Sequence, residues 1–111
     1  MSATVQGTTI SLTKGDTLRV AVHLVNKDTQ LEYTPAPGDS LRFAMKKRYS
    51  DEECVLLKDI DIETLELHLE PSDTSDLQVG RYVYDIQLTF ENGDVDTVIP
   101  RAQFNLLEEV Y

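Results

Sequence analysis

The stretch Leu77-Gln78-Val79-Gly80-Arg81-Tyr82-Val83-Tyr84-Asp85-Ile86-Gln87-Leu88-Thr89-Phe90-Glu91-Asn92-Gly93-Asp94 alternates apolar and polar side chains and then breaks into a turn. Tyr82, Tyr84, Ile86, Leu88 and Phe90 fall on one side of an extended chain. Arg81, Asp85, Gln87 and Thr89 fall on the other, with Val83 among them. A period of two is the signature of a strand with one buried face. Asn-Gly after such a run is the strongest short hairpin signal. Val95 to Ile99 therefore reads as the return strand, stopped at Pro100, which has no N–H to give a ladder.

The same period governs the rest of the chain. Val20, Val22 and Leu24 alternate within Thr17 to Asn26, and Asn26-Lys27-Asp28-Thr29 reads as a turn. Leu41, Phe43 and Met45 alternate with Arg42, Ala44 and Lys46. Cys54 to Ile60 is more uniformly apolar, as expected of a strand crossing the middle of a sandwich. Leu65, Leu67 and Leu69 keep opposite parity to Ile62, which puts a turn or bulge near Glu63-Thr64. Ala102 to Val110 reads as a last strand with Phe104 and Leu106 inward. Only Ser72 to Leu77 suits a helical turn, with Ser72 or Asp73 as its N-cap. Gly80 two residues before Tyr82, at the head of the longest strand, matches a tyrosine corner, in which the phenol hydroxyl bonds the backbone just upstream. The expected fold is all-β: an immunoglobulin-like antiparallel β-sandwich of seven to eight strands, one domain over residues 1–111. Tyr84 stands where antibody domains carry their second cysteine, and the chain has no Trp. Both marks separate it from antigen receptors.

With 111 residues, 41% of them hydrophobic, the chain can bury a real core. Twenty acidic residues against ten basic ones give a net charge of −10. That balance argues against nucleic acid and against an anionic membrane as partners. No basic stretch followed by an apolar run opens the chain, so no signal peptide is expected, and the single cysteine fits folding in a reducing cytoplasm. Cys54 is the only cysteine and reads as a small core residue beside Asp51-Glu52-Glu53, which would hold a thiol protonated. His23 and His68 lie at solvent-face parity. No nucleophile elbow, phosphate loop or zinc ligand set is present in the sequence, so no enzyme, cofactor or metal is expected. Asp51 to Asp76 holds ten acidic residues and one base, Lys58. Asp59, Asp61 and Glu63 are spaced to share a face of an extended chain, and the plain account of this segment is a solvated acidic surface.

Arg42, Lys46 and Arg48 recur at even positions opposite Leu41, Phe43 and Met45. They form a cationic stripe beside the acidic segment, suited to pairing within the chain or to docking on a neighbour. At the C-terminus, Leu107 and Tyr111 fall on the parity opposite Phe104 and Leu106. Arg42, Lys46, Arg48, Leu107 and Tyr111 are therefore the candidate partner-binding residues.

In order along the chain stand Lys14-Gly15-Asp16-Thr17, Tyr33-Thr34-Pro35, Gly38-Asp39-Ser40-Leu41-Arg42-Phe43, Lys46-Lys47 and Asp73-Thr74. Then come Leu77, Gly80, Tyr82-Val83-Tyr84-Asp85-Ile86-Gln87-Leu88, Gly93-Asp94-Val95-Asp96-Thr97-Val98-Ile99, Phe104-Asn105-Leu106 and Glu109-Val110. This ordered set resembles the small immunoglobulin-like domains of phage and prophage virion proteins, especially the N-terminal domain of the baseplate upper protein family. The resemblance implies a non-catalytic tail or baseplate module that contacts other virion proteins or itself, and a virion-associated location. It carries no catalytic residues to this chain. The alternative is a carbohydrate-binding sandwich for adsorption to a cell surface, which would need exposed aromatic rings; the core pattern leaves only Tyr33, Tyr49 and Tyr111 for that.

Overall fold

Alternation buries one side of each strand, and the strands assemble around that side. A computed structural model describes residues 4–6, 9–24 and 31–108. Among these, eight strands and one short helix follow in order. They are β1 (Thr4–Gln6), β2 (Thr9–Thr13), β3 (Leu18–Ala21), β4 (Ser40–Lys46) and β5 (Leu56–Ile60), then β6 (Glu66–Leu69), α1 (Pro71–Thr74), β7 (Gly80–Thr89) and β8 (Val95–Leu107). The chain is all-β apart from α1. One sheet has six strands in the order β1-β2-β8-β7-β4-β5, and a second pairs β3 with β6. The β2–β8 pairing is parallel and the others are antiparallel.

Leu41, Phe43 and Met45 of β4, Tyr82 to Leu88 at even positions of β7, and Ala102, Phe104 and Leu106 of β8 form the inner face of the large sheet. They join Leu18, Val22, Leu24, Leu67 and Leu69 in one apolar cluster. The expected core positions Val22, Leu24, Leu41, Phe43, Leu67, Tyr82, Tyr84, Ile86 and Leu88 lie in this cluster and Val20 packs against it, whereas Cys54 does not join it. The expected corner is present: the Tyr82 hydroxyl donates to the Gln78 carbonyl at 2.5 Å.

Four elements depart from the sequence reading. Pro100 does not stop a strand; β8 runs through it from Val95 to Leu107. Two residues, Pro100 and Arg101, stand opposite Asp85 alone between the Tyr84–Ala102 and Ile86–Ile99 pairs. That bulge is where a residue without an N–H costs the ladder nothing. Cys54 to Ile60 is not a central strand: β5 starts at Leu56 and lies at the sheet edge, leaving Leu57 54% exposed. Its one outward apolar residue, Leu57, lies on the outer face beside Ala44, and Cys54 is half-buried ahead of β5, not in the core. The helix begins at Pro71, one residue before the expected span, and is capped by Glu70 in place of Ser72 or Asp73. Pro71, preset for the first helical position, forces this, and the Asp73 carboxylate accepts the Glu70 N–H at 2.8 Å. Asp59, Asp61 and Glu63 do not share an extended face, because the chain turns after Ile60 and the Asp61 carboxylate accepts the Glu63 N–H. The expected Asn26–Thr29 turn lies outside the described residues.

Polar links tie the loops to this frame. Lys58, on the inner side of the β5 edge, reaches Asp73 of α1 at 3.0 Å. Buried Thr74 accepts the Gly15 N–H at 3.1 Å, joining α1 to the β2–β3 turn. Buried Asp39 accepts three donors: the Tyr33 hydroxyl at 2.7 Å, the Ala36 N–H and the Glu91 N–H. It thereby fastens the loop before β4 to the β7–β8 hairpin. Gly38, at φ +98°, leaves no room for a side chain, since a Cβ would lie 2.8 Å from Cγ of Glu91.

Two outcomes follow from these links. Tyr82→Phe removes the part-buried hydrogen bond to the Gln78 carbonyl and should cost about 0.5 to 1.5 kcal/mol; the denaturant midpoint at unchanged slope measures it. The Tyr33 hydroxyl, then the backbone donors, hold the Asp39 carboxyl below its ordinary value of 3.8. A lowered native pKa gives stability that is present above the unfolded value and lost as pH falls through the native one. The lead in thermal midpoint of the wild type over Asp39→Asn should thus be full at neutral pH and shrink below pH 3.8; a lead independent of pH would overturn the assignment.

Candidate functional site

The register that buries Phe43 and Tyr84 turns the other parity of β4, β7 and β8 outward. On this outer face Arg42 lies between Asp59 of β5 and Gln87 of β7. One step on, Ala44 lies between Leu57 and Asp85. Lys46 then stands beside Val83, which faces Gln103 of β8. The floor is apolar and its margin is charged.

The chain leaving β4 folds back over this face. The Lys46 ammonium donates to the Asp51 carbonyl at 2.8 Å, and the Arg48 N–H donates to the Asp51 carboxylate at 3.2 Å. The Val55 N–H to Met45 carbonyl bond closes the loop. Tyr49 is thereby carried to Arg101, whose guanidinium lies 5.1 Å from the ring centroid. At an exposed site such a stack contributes about 0.5 to 1 kcal/mol. Arg101 is also held at φ +39°, the left-handed region that a branched or long side chain enters only under constraint. The bulge supplies the constraint, and the result is a guanidinium aimed across the sheet face.

Two adjoining hollows result, of about 440 and 280 Å³, sharing Tyr49, Val83 and Arg101. Five basic side chains line them, Arg42, Lys46, Lys47, Arg81 and Arg101, against one carboxylate, Asp85. That is half of the ten basic residues in a chain of net charge −10. Among the described residues only Arg42 of these five forms an ion pair, with Asp59 at 3.4 Å and largely in solvent. Lys47 instead lies 5.7 Å from the centroid of the Tyr82 ring.

Of the candidate residues, Arg42 and Lys46 belong to this face. Arg48 does not line it, because the strand ends at Lys46 and Arg48 sits in the following turn. Leu107 is 45% exposed but pairs with Thr13 at the far end of β8. It lies four residues past Gln103, roughly 13 Å farther along the strand, and outside the groove. Tyr111 lies outside the described residues. Lys47, Arg81 and Arg101 were not anticipated, and Tyr49 was considered only as a ring for the glycan-binding alternative. Arg81 carries a readable signal, since it shares parity with Val83 and Asp85; Arg101 carries none, because only the bulge brings it round. His23 is exposed and His68 half-buried. Elsewhere in the acidic segment, Glu66 pairs with Arg19 at 3.1 Å, while Glu52, Glu53, Asp61, Glu63, Glu70 and Asp76 are exposed and form no ion pair among the described residues.

Comparison with known proteins finds no matching family model, no curated protein similar to the chain and no solved structure similar to it.

The strain at Arg101 has a measurable consequence. Arg101→Gly and Arg101→Ala both remove the stack on Tyr49, but only Gly enters the left-handed region freely. Arg101→Gly should therefore be more stable than Arg101→Ala by about 1 kcal/mol, the reverse of the usual order within a strand. Chemical denaturation of the two variants side by side measures the difference.

Proposed function

We propose that this chain is an immunoglobulin-like sandwich that serves as a non-catalytic docking module, contacting an acidic surface of a neighbouring protein through the groove around Arg101. The observation that carries the reading is the gathering of Arg42, Lys46, Lys47, Arg81 and Arg101 around an apolar floor in a strongly acidic chain. Concentrating scarce positive charge on one face favours one class of partner and repels another. The apolar floor of Ala44, Leu57 and Val83 adds burial to the steering that charge provides.

Support for the finer fold comes from the Tyr82 corner and from the partition of strands, with β5-β4-β7-β8 in one sheet and β3-β6 in the other. That partition resembles an immunoglobulin-type sandwich whose three-stranded sheet is extended by β5 at one edge and by β2 and β1 at the other. The resemblance in sequence to virion immunoglobulin-like domains makes a phage tail or baseplate the proposed setting, with virion proteins as the neighbours. The glycan-binding alternative has Tyr49 as its one exposed ring in the groove. Arg101 is stacked on that ring, which leaves less of it for a sugar.

Immobilised protein should bind an oligo-glutamate peptide, weaken steadily as salt is raised, and lose the interaction in Lys46→Glu/Arg101→Glu. Failure to bind the peptide, together with recognition of a defined neutral glycan on an array, would overturn the reading.

A further inference from the structure

We infer that the groove around Arg101 receives the β7–β8 hairpin tip of a second copy of this chain, so that copies join head to tail; this rests on the docking role proposed above and names its partner. The tip, Glu91 to Val95, projects from the end of the large sheet opposite Lys46 and Arg81 in the β4–β7–β8 register. Glu91, Asn92, Gly93 and Asp94 are all exposed, and Val95 is 58% exposed. The tip is also preformed. The Asn92 side-chain carbonyl accepts the Asp94 N–H at 2.9 Å, and the Gly93 N–H bonds the Phe90 carbonyl.

Charge is segregated along the strands to match. Because Ile60 pairs with Leu41 and Leu41 with Leu88, the exposed Asp61 and Glu63 stand at the same end as Glu91 and Asp94. Of the basic lining, Lys46, Lys47 and Arg81 lie toward the other end and Arg101 midway, while Arg42 stands beside Leu41 nearer the tip. A convex tip with two carboxylates and an exposed Val95 meets, on another copy, a groove with five cations and the apolar floor Ala44, Leu57 and Val83. Carboxylates go to Arg42, Lys46 and Arg101, and Val95 goes to the floor. No copy can fill its own groove. The ladder holds Glu91 four residues along β7 from Gln87, the nearest lining residue of that strand, and eight from Val83, roughly 13 and 26 Å. The contact is thus between unlike surfaces of two molecules, which propagates into chains or closes into rings instead of stopping at a pair.

Two variants carry one working surface each. Lys46→Glu/Arg101→Glu keeps the tip and loses the groove. Glu91→Lys/Asp94→Lys keeps the groove and loses the tip, while the backbone bond from Asp94 to Asn92 survives. Leu57→Asp, at an exposed position, spoils the floor without touching the core, and serves if the groove variant fails to fold. Light scattering across a concentration series should show wild-type assemblies larger than a dimer. Each variant alone should associate at least about tenfold more weakly. Mixing the groove variant with the tip variant should restore association and halt at a one-to-one dimer, since only one intact tip and one intact groove remain. A wild type that stays monomeric, or a mixture that does not recover, overturns the inference. If the wild type is monomeric yet still binds oligo-glutamate through the groove, the partner is a different acidic protein and the docking role stands. If neither occurs, both fall.

Discussion

Phe43, Tyr84 and Phe104 stand on three adjacent strands with their ring centroids 5.2 to 6.4 Å apart. Together with Met45, Tyr82 and Leu106 they fill the inner face of the large sheet. Side chains alternate with a period of two, so slipping β4 or β8 by one residue against β7 would send its whole inward row into water. Fully burying a side chain of this size is worth about 1.5 to 3 kcal/mol, so a slip would forfeit several such contributions at once. The aromatic cluster thus pins the register, and the register sets the outer face as firmly as the inner one. Arg42, Lys46 and Val83 are aligned because Phe43 and Tyr84 are buried. The groove is a by-product of the core's demand for one alignment.

The β7–β8 alignment shifts at two places, between the Gln87–Thr97 and Ile86–Ile99 pairs and then at Pro100 and Arg101. After the first shift Ile99 stands opposite inward-facing Ile86, and without the second Arg101 would follow Ile99 inward and the rest of β8 would turn out. With it, Ala102, Phe104 and Leu106 return to the core, and Arg101 is left in a left-handed conformation beside Tyr49. Strain of this kind persists only where the surroundings over-determine it. Here the β7 ladder holds both sides of the bulge, and the loop carrying Tyr49 is braced by Asp51.

The inward rows were legible in the sequence because burial of one face needs only a period of two. That is why Leu41 to Met45, Tyr82 to Leu88 and the Tyr82 corner could be read directly, and why the Asn92-Gly93 turn was visible. What depends on contacts between distant segments was not. β2 is five residues long and gains its place by parallel pairing with β8, which no local pattern announces. β5 looked central because Val55, Leu56 and Leu57 are apolar in succession; which of them faces water depends on the sheet ending there. The site divides the same way. Arg42 and Lys46 follow from parity on one strand, whereas Arg101 and Tyr49 meet through a bulge and a folded loop. Arg48 keeps the parity of the stripe but not its place, since a periodic pattern says nothing of where the strand stops.

Charge in this molecule acts at two ranges, and they oppose each other. At long range, two copies of net charge −10 repel. Within contact distance, the groove presents five cations to whatever reaches it. Salt at physiological strength screens exposed charges beyond about 8 Å, so it removes much of the long-range term before it weakens bonds made at contact. Segregating charge along the strands therefore does more than add attraction. In the inferred head-to-tail contact it favours the approach of an acidic surface to the groove over the meeting of two acidic surfaces. An even scatter of the same ten basic residues over the surface would leave the net charge unaltered and remove that selection. The arrangement of the charges, and not their sum, is what makes the outer face of the large sheet a site.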